Sequence, residues 1–98
     1  MLIMQVRQTA KFMAWFEELR DVRARARIQA RIDRLSLGNP GDVRSVGSGV
    51  SELRIDYGPG YRVYFIHRGE DLIVLLAGGK KDTQARDIVQ AITLASEL

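Results

Sequence analysis

The 98-residue chain contains no cysteine, one histidine and no long apolar run. The absence of cysteine excludes disulfides, thiol nucleophiles and cysteine metal sites, and it fits a reducing compartment. A single histidine, His67, cannot build a histidine metal cluster, so we expect neither a metal nor another cofactor. The apolar residues 1–4 are followed at once by Gln5 and Arg7, which leaves no signal peptide and no membrane span of ~20 residues. We therefore expect a cytoplasmic protein that does not enter a membrane.

Composition and charge indicate a single domain with a basic surface. Hydrophobic residues make up 46% of the chain and charged residues 28%, the balance of an ordinary globular protein, and the length suffices for one core. We therefore expect one domain over residues 1–98. The formal charge is +3, and all fifteen basic residues except Lys11, Lys80 and Lys81 are arginine. Since the planar arginine fork suits phosphate, this composition modestly favours a nucleic-acid partner.

Hydrophobic periodicity in the first part of the chain predicts one strand and two helices. Residues 2–7 alternate in the manner of a short strand. Thr9 and Asp21 can each cap a helix, the first over residues 10–20 and the second reaching Leu37. Because almost no residues separate the two helices, they should pack as an antiparallel hairpin. Their apolar stripes are Phe12, Phe16 and Leu19 in the first helix and Ala24, Ile28, Ile32 and Leu35 in the second.

The remainder of the chain predicts consecutive strands and a final helix. The strand-like runs are residues 43–46, 50–56, 61–67 and 72–77. Short turn-rich segments separate them, so we expect an antiparallel sheet of three or four strands, with the wholly apolar run LIVLLA in its interior. Asp82 or Thr83 can cap the last helix. Its apolar face consists of Ala85, Ile88, Ile92 and Ala95. This order is α+β, with the helices on one face of the sheet and the other face open to a ligand.

The hairpin SELRIDYGPGYRVYF places charges on alternate positions. If Leu53 and Ile55 face the core, Glu52 and Arg54 lie on the open face together with Asp56. Arg62, across the turn, can lie diagonal to Arg54 or to Asp56, depending on the register. Pattern alone favours a solvated ladder of cross-strand ion pairs over a functional site.

Other basic groups leave two interpretations open. Lys80 and Lys81 follow the apolar strand near a helix N-terminus, where they can bind an anion or lie solvated in a loop. The longer helix carries an arginine ridge that is either a solvated face or a surface for phosphate or a partner. His67, beside a turn, is more typical of a surface residue than of a general acid or base. The ridge consists of Arg23, Arg27, Arg31 and Arg34.

Three segments carry a family resemblance: ARARI followed by GNPGD, then GVSELRIDYGPGYRVYF, then GGKKDTQ. In their order and spacing these segments resemble the RelE/ParE superfamily of bacterial toxins, specifically the HigB-like branch of addiction-module killer proteins. The resemblance covers the chain from about Phe12 to Leu94. It implies a RelE-like α+β fold, with an N-terminal strand and helical hairpin, an antiparallel sheet and a C-terminal helix.

For function, the resemblance implies the toxin of a type II toxin–antitoxin pair, and in the RelE-like and HigB-like members an endoribonuclease that cuts mRNA on the ribosome. Attack of a ribose 2′-OH on the adjacent phosphodiester needs a proton acceptor, positive charge on the pentavalent phosphate and a proton donor for the leaving oxygen. The resemblance places Arg62 and Arg54 on the phosphate and Lys80 or Lys81 at the transition state. It makes Glu52 a base or an orienting carboxylate.

The tail after GGKK departs from RelE-like relatives, which often have a tyrosine or histidine there. This chain has Thr83, Gln84 and Arg86 instead, so the resemblance identifies no general acid. The alternative within the superfamily is a ParE-like inhibitor of DNA gyrase without nuclease activity. A catalytically weak module that binds RNA or the antitoxin is a further alternative. The implied partners are the ribosome, mRNA and a cognate antitoxin, typically a small helix-turn-helix protein.

Overall fold

A computed structural model describes residues 3–98, so the predicted start of the first strand at Leu2 lies outside the described residues. The strands are β1 (Gln5–Gln8), β2 (Val43–Gly47), β3 (Val50–Ile55), β4 (Tyr61–Arg68) and β5 (Leu72–Lys80). The helices are α1 (Ala10–Glu18), α2 (Val22–Ser36) and α3 (Gln84–Ser96), and a 3₁₀ turn (Lys81–Thr83) joins β5 to α3. No helix within residues 3–98 is both long enough and apolar enough to cross a membrane.

The five strands form one sheet in the order β1-β5-β4-β3-β2. Strands β2 to β5 are consecutive antiparallel hairpins, which confirms the predicted α+β arrangement. Strand β1 adds to this sheet as a parallel neighbour of β5, with Val6 opposite Ile73. The apolar strand β5 therefore lies between β4 and β1, as its unbroken run of apolar residues predicts.

Helices α1 and α2 cover one face of the sheet. The Thr9 side chain accepts a hydrogen bond from the Phe12 amide, and the Asp21 side chain accepts from the amides of Arg23 and Ala24, so both predicted caps are confirmed. Phe12 and the predicted stripe of α2 are buried against inward-facing residues of β3, β4 and β5. The strand residues of this core are Leu53, Ile55, Tyr61, Val63, Phe65, Ile73 and Leu75.

Helix α3 lies on the opposite face, so the expectation that the helices cover only one face was wrong. The physical reason is that β4 is apolar on both sides: Val63 and Phe65 face the first core, whereas Tyr64 and Ile66 need a second cover. The α3 residues that pack there are Ile88, Ala91, Ile92, Leu94 and Ala95. Ala85, predicted for the apolar face, is exposed, and the acidic residue Asp87 is buried instead.

The adjacent glycines of β5 allow helices on both faces to approach the strand. A Cβ atom built on Gly78 would overlap the indole of Trp15 in α1, and one built on Gly79 would overlap the Asp87 carboxylate in α3. A residue with any side chain at either position would push the corresponding helix outward. The GG pair therefore fixes how closely α1 and α3 approach the end of β5.

Candidate functional site

The β3–β4 hairpin carries the charged cluster that the sequence singled out. Leu53 and Ile55 enter the first core, so Glu52 and Arg54 face the α3 side. Arg54 lies directly opposite Arg62 in the ladder, and Glu52 lies opposite Tyr64. Of the two placements left open for Arg62, the one diagonal to Arg54 is excluded, whereas Asp56, two residues beyond Arg54, is diagonal to Arg62 in this register. The turn between the two strands pairs Ile55 with Tyr61, and this pairing determines the partner of every residue farther from the turn.

Glu52 is fully buried, although the sequence pattern favoured a solvated ladder. Its carboxylate Oε1 lies 3.9 Å from Nε of Arg54 and 3.8 Å from Nε of Arg62. The Arg62 side chain is 5% exposed and that of Arg54 is 30% exposed. One carboxylate thus neutralises part of the charge of two arginines that face each other, a pairing that would otherwise be repulsive.

Several polar atoms of this cluster are buried without a hydrogen-bond partner among the described residues. They are Glu52 Oε1, the Nε atoms of Arg54 and Arg62, and the Tyr64 hydroxyl. The two arginine–glutamate separations are short enough for ion pairs but too long for hydrogen bonds. Glu52 and Tyr64 face each other closely enough for the carboxylate to act on the hydroxyl, so the buried polar groups of the cluster lie next to one another.

Tyr64, which is fully buried opposite Glu52 in the ladder, is a neutral phenol. Burial raises the pKa of its hydroxyl well above the ordinary tyrosine value, and the nearby carboxylate of Glu52 raises this pKa further. Arg62 acts in the opposite direction, but its effect is smaller. The hydroxyl therefore stays protonated at neutral pH.

Lys80 is the last residue of β5 and Lys81 is the first residue of the 3₁₀ turn, and the two side chains line different cavities. The amide of Lys81 donates to the carbonyl of Gly60 at 2.8 Å, which brings this lysine to the β3–β4 turn. Lys81 lines a cavity of about 270 Å³ together with Arg54 and Arg62. Lys80 pairs with Tyr61 in the β4–β5 ladder and lines a different cavity, on the Trp15 side. Three of the five residues singled out in the sequence, Arg54, Arg62 and Lys81, thus surround one space, with Glu52 buried behind them.

Sequence reasoning missed the residues that hold this cluster. Gln84, the first residue of α3, donates from Nε2 to Glu52 Oε2 at 2.7 Å. Arg31 of the predicted ridge donates to the carbonyl oxygens of Arg54 at 2.6 Å and Pro40 at 2.9 Å, and its partial burial lowers the pKa of its guanidinium. Arg44 lies opposite Glu52 in β2, a placement that alternation across the first hairpin could have indicated.

The other ridge arginines and the histidine lie away from the cavity lining. The Arg27 guanidinium stacks over the Tyr57 ring at 4.7 Å from its centroid, and Arg23 and Arg34 are exposed. His67 is exposed near the end of β4, as expected for a surface residue. The lining of the cavity also includes two acidic residues, Asp42 and Asp56.

Comparison with known proteins gives three findings. Residues 14–98 match the family described as Phage derived protein Gp49-like (DUF891). An uncharacterized protein of Haemophilus influenzae is 50% identical over 97 residues, which cover 99% of this chain and 98% of that protein. The structure of an arginine-to-alanine double mutant of the E. coli toxin RelE in the free state matches with a TM-score of 0.74 and 11% identity, over 95% of this chain and 97% of that one.

Proposed function

We propose that this chain, which belongs to the Gp49-like family of phage-derived proteins and has the fold of RelE, is the toxin of a toxin–antitoxin pair and cuts mRNA on the ribosome. The E. coli protein that shares its fold is a toxin. The observation that carries the proposal is the cavity lined by Arg54, Arg62 and Lys81, with the buried carboxylate of Glu52 behind the arginines.

The cluster suits phosphodiester cleavage by the neighbouring 2′-OH. Arg62 and Arg54 lie opposite each other in the ladder and line the same cavity, so their guanidinium groups can bind the two non-bridging oxygens of one phosphate. The charge on these oxygens grows in the pentavalent transition state, and fixed cations stabilise it. Lys81, at the rim and exposed, can bind the same phosphate or protonate the leaving 5′ oxygen.

Glu52 serves in this proposal as an orienting carboxylate and not as the base. It has no exposed surface, one oxygen accepts from Gln84, and the other lies between two arginine Nε atoms. A general base must come within hydrogen-bond reach of the 2′-OH, and this carboxylate is covered by the arginines that it holds. The proton of the 2′-OH passes instead to an exposed carboxylate of the cavity lining, Asp42 or Asp56, as the oxygen attacks phosphorus. The negative charge of Glu52 fixes the direction of both guanidinium groups, which is the preorganisation that phosphate binding needs.

The ribosome supplies what the small site lacks. One cavity of about 270 Å³ contacts little more than a phosphate and its sugar, so selection and alignment of the RNA must come from elsewhere. We therefore propose that cleavage requires a translating ribosome and that a small helix-turn-helix antitoxin neutralises the protein before it acts. Equal cleavage of naked RNA would contradict the first of these statements.

The test is cleavage of a defined mRNA on programmed ribosomes, read by primer extension. Replacing Arg62 by lysine should lower the rate by about 10²-fold or more, because a single ammonium cannot replace a fork aimed at the transition state. Lys81→Ala, at an exposed site, should also slow cleavage while leaving the melting temperature unchanged. Arg34→Ala removes an exposed arginine of α2 and is the matched control.

Two outcomes would refute the proposal. If the parent leaves ribosome-bound mRNA intact but blocks DNA supercoiling by gyrase, the protein is of the ParE-like kind. If the parent cuts mRNA while Arg62→Lys and Lys81→Ala cut equally fast, the activity is right and the site is wrong. Sequencing the adjacent reading frame, together with co-expression of its product, tests the antitoxin separately.

A further inference from the structure

The first turn of α3 contacts the back of the charged cluster through one glutamine. Gln84, the first residue of this helix, donates from Nε2 to Oε2 of the fully buried Glu52 at 2.7 Å. The other oxygen of the same carboxylate, Oε1, lies 3.9 Å from Nε of Arg54 and 3.8 Å from Nε of Arg62. One carboxylate therefore connects two parts of the fold, with one oxygen toward α3 and the other toward the arginine pair.

Packing alone does not determine how the plane of this carboxylate is rotated. The last torsion of a glutamate side chain turns the carboxylate plane, and this torsion is broad, whereas the torsions before it occupy narrow staggered wells. The separations from Oε1 to the two arginine Nε atoms are too long for hydrogen bonds, so those contacts leave the plane free to turn. The hydrogen bond from Gln84 is directional, and it fixes Oε2. Because both oxygens belong to one rigid plane, it also fixes where Oε1 presents its charge.

Contacts outside the cluster determine the position of Gln84. The amide of Lys81 donates to the carbonyl of Gly60 at 2.8 Å, which attaches the 3₁₀ turn to the β3–β4 turn. Thr83 Oγ1 donates at 2.6 Å to Oδ2 of Asp87, which is 4% exposed. Neither contact involves a guanidinium group. The first turn of α3 is therefore held independently of the arginine side chains and is a fixed support for the carboxylate.

An amide has the right chemistry for this support. Its NH₂ group donates without carrying charge, so the negative charge of Glu52 remains available to Arg54 and Arg62. A lysine or arginine at position 84 would neutralise that charge, and the two arginines, which lie opposite each other in the ladder, would then repel. An ionised acid at the same position would repel Glu52 itself. The α3 residue that contacts the carboxylate is thus an uncharged donor.

We propose that Gln84 is a positioning residue of the ribonuclease: it sets the plane of the Glu52 carboxylate and, through it, the direction in which Arg54 and Arg62 meet the phosphate. Gln84 lies behind the cluster and is not part of the cavity lining, so it acts through Glu52 and not on the reacting atoms. This inference rests on the proposed function in taking phosphodiester cleavage as the reaction. The direction of the guanidinium groups can be measured without any substrate.

Two substitutions at position 84 isolate the hydrogen bond. Gln84→Met keeps the length and the helix propensity of the side chain and removes the donor. Gln84→Glu keeps the shape, and the new acid can donate only while the two carboxylates share a proton. Gln29→Met and Gln29→Glu are the matched controls. In the parent, Gln29 of α2 donates to Asp33 at 2.9 Å on the exposed surface, away from the cavity lining.

The first measurement is the ¹⁵N–¹H spectrum of the arginine Nε–H groups, which are buried in Arg31, Arg54 and Arg62. Gln84→Met should shift or broaden the signals of Arg54 and Arg62. The signal of Arg31 should stay in place, because backbone carbonyls hold its guanidinium. Gln84→Glu should show the same change at about pH 8 and return toward the parental spectrum at about pH 6, because a shared proton restores the hydrogen bond. Neither Gln29 variant should change these signals.

The second measurement is the cleavage of mRNA on ribosomes, well below the Tm of each variant. Gln84→Met should lower kcat by about 10- to 10²-fold and change KM little, because misdirected guanidinium groups still attract the phosphate but match the transition state poorly. Relative to the parent at the same pH, Gln84→Glu should be slow at about pH 8 and recover at about pH 6. Both Gln29 variants should cut at the parental rate.

A Gln84→Met variant that melts earlier but keeps the parental arginine signals and kcat would overturn the proposal, because Gln84 would then only satisfy a buried carboxylate. Equal losses for Gln84→Glu at every pH would overturn it as well. If Gln84→Met does not fold, the pH dependence of Gln84→Glu decides alone. If the parent cuts no mRNA but Gln84→Met moves the signals of Arg54 and Arg62, the proposed function fails and the placement of the guanidinium groups by Gln84 stands.

Discussion

Replacing Glu52 with glutamine removes the one negative charge between two arginines and changes little else. The variant keeps the size of the side chain, and its amide oxygen can still accept from Gln84, which donates to Glu52 at 2.7 Å. What remains is Arg54 opposite Arg62 in the ladder with no counter-charge between them. Any decrease in the free energy of unfolding therefore measures the loss of the negative charge and not a change in packing.

The expected loss of stability depends on how deeply the two arginines are buried. Removing one partner of a buried ion pair costs about 3–5 kcal/mol, because the remaining charge stays desolvated and uncompensated. Arg62 is almost fully buried, whereas the Arg54 side chain is 30% exposed and can draw on water, which puts the expected value at the lower end, about 3 kcal/mol. For a domain of this size, that corresponds to a fall in Tm of roughly 12–24 °C.

Thermal and urea unfolding followed by circular dichroism measure this loss. A double-mutant cycle isolates the charge effect: Arg54→Gln should cost the parent stability but cost the Glu52→Gln variant far less, with a coupling of about 1 kcal/mol or more. Phosphate in the buffer should restore part of the loss, since the variant cavity is more positive. A Glu52→Gln variant that melts within about 2 °C of the parent would show that the carboxylate does not hold the arginines.

Three further predictions concern the supports of the site. Arg31→Ala should lower the free energy of unfolding by about 2–3 kcal/mol in urea titrations, because charged hydrogen bonds to the carbonyls of Arg54 and Pro40 are lost, whereas Arg23→Ala on the same helix should cost under about 0.5 kcal/mol. Thr9→Ala should cost about 1–2 kcal/mol and Thr9→Ser much less, since the hydroxyl both caps α1 and donates to the Leu76 carbonyl. Stability should fall as pH rises above about 10, because the unfolded chain then releases the Tyr64 proton that the folded state retains.

Each of these has a result that would contradict it. Arg31→Lys at parental stability would mean that a point charge suffices and that the guanidinium fork is not needed. Equal losses for Thr9→Ala and Thr9→Ser would exclude the hydroxyl as the cause. The slope of stability with pH above 10 should be smaller in Tyr64→Phe than in the parent, with Tyr61 contributing the rest, because burial raises its pKa as well. An unchanged slope would show that Tyr64 ionises normally in the folded protein.

The sequence predicted the helices and strands well, and also which side chains of the β3–β4 hairpin point toward the core, because both depend on local periodicity. Alternation alone placed Leu53 in the core and Glu52 with Arg54 on the other face. Alternation could not predict the register of the two strands, because the pairing of Arg54 with Arg62 depends on the turn that joins Ile55 to Tyr61. Alternation also could not predict that Glu52 is buried, because its burial depends on α3 packing on the second face of the sheet.

Some misses had signals that were available. Two consecutive glycines at the end of an apolar strand indicate a close approach on both faces, which is what Gly78 and Gly79 allow. The role of Arg31 had no such signal, because its partners are backbone carbonyls 9 and 23 residues away and its spacing on α2 is the same as that of the exposed arginines. Interactions with the backbone of distant segments leave no periodic trace in a sequence.

The parallel pairing of β1 with β5 has a consequence for how the protein is made. The Thr9 hydroxyl reaches a carbonyl 67 residues further along the chain, so β5 gains its second neighbour only when distant parts of the chain meet. Contacts of such long sequence separation form late and slow folding. During synthesis, α1 and α2 leave the ribosome with their apolar stripes uncovered, and Arg54 emerges before both Arg62 of β4 and Gln84 of α3. The newly made chain is therefore expected to acquire the cavity of Arg54, Arg62 and Lys81 only after release. Under the proposed function, this leaves an interval in which the chain cannot act on the ribosome that produced it.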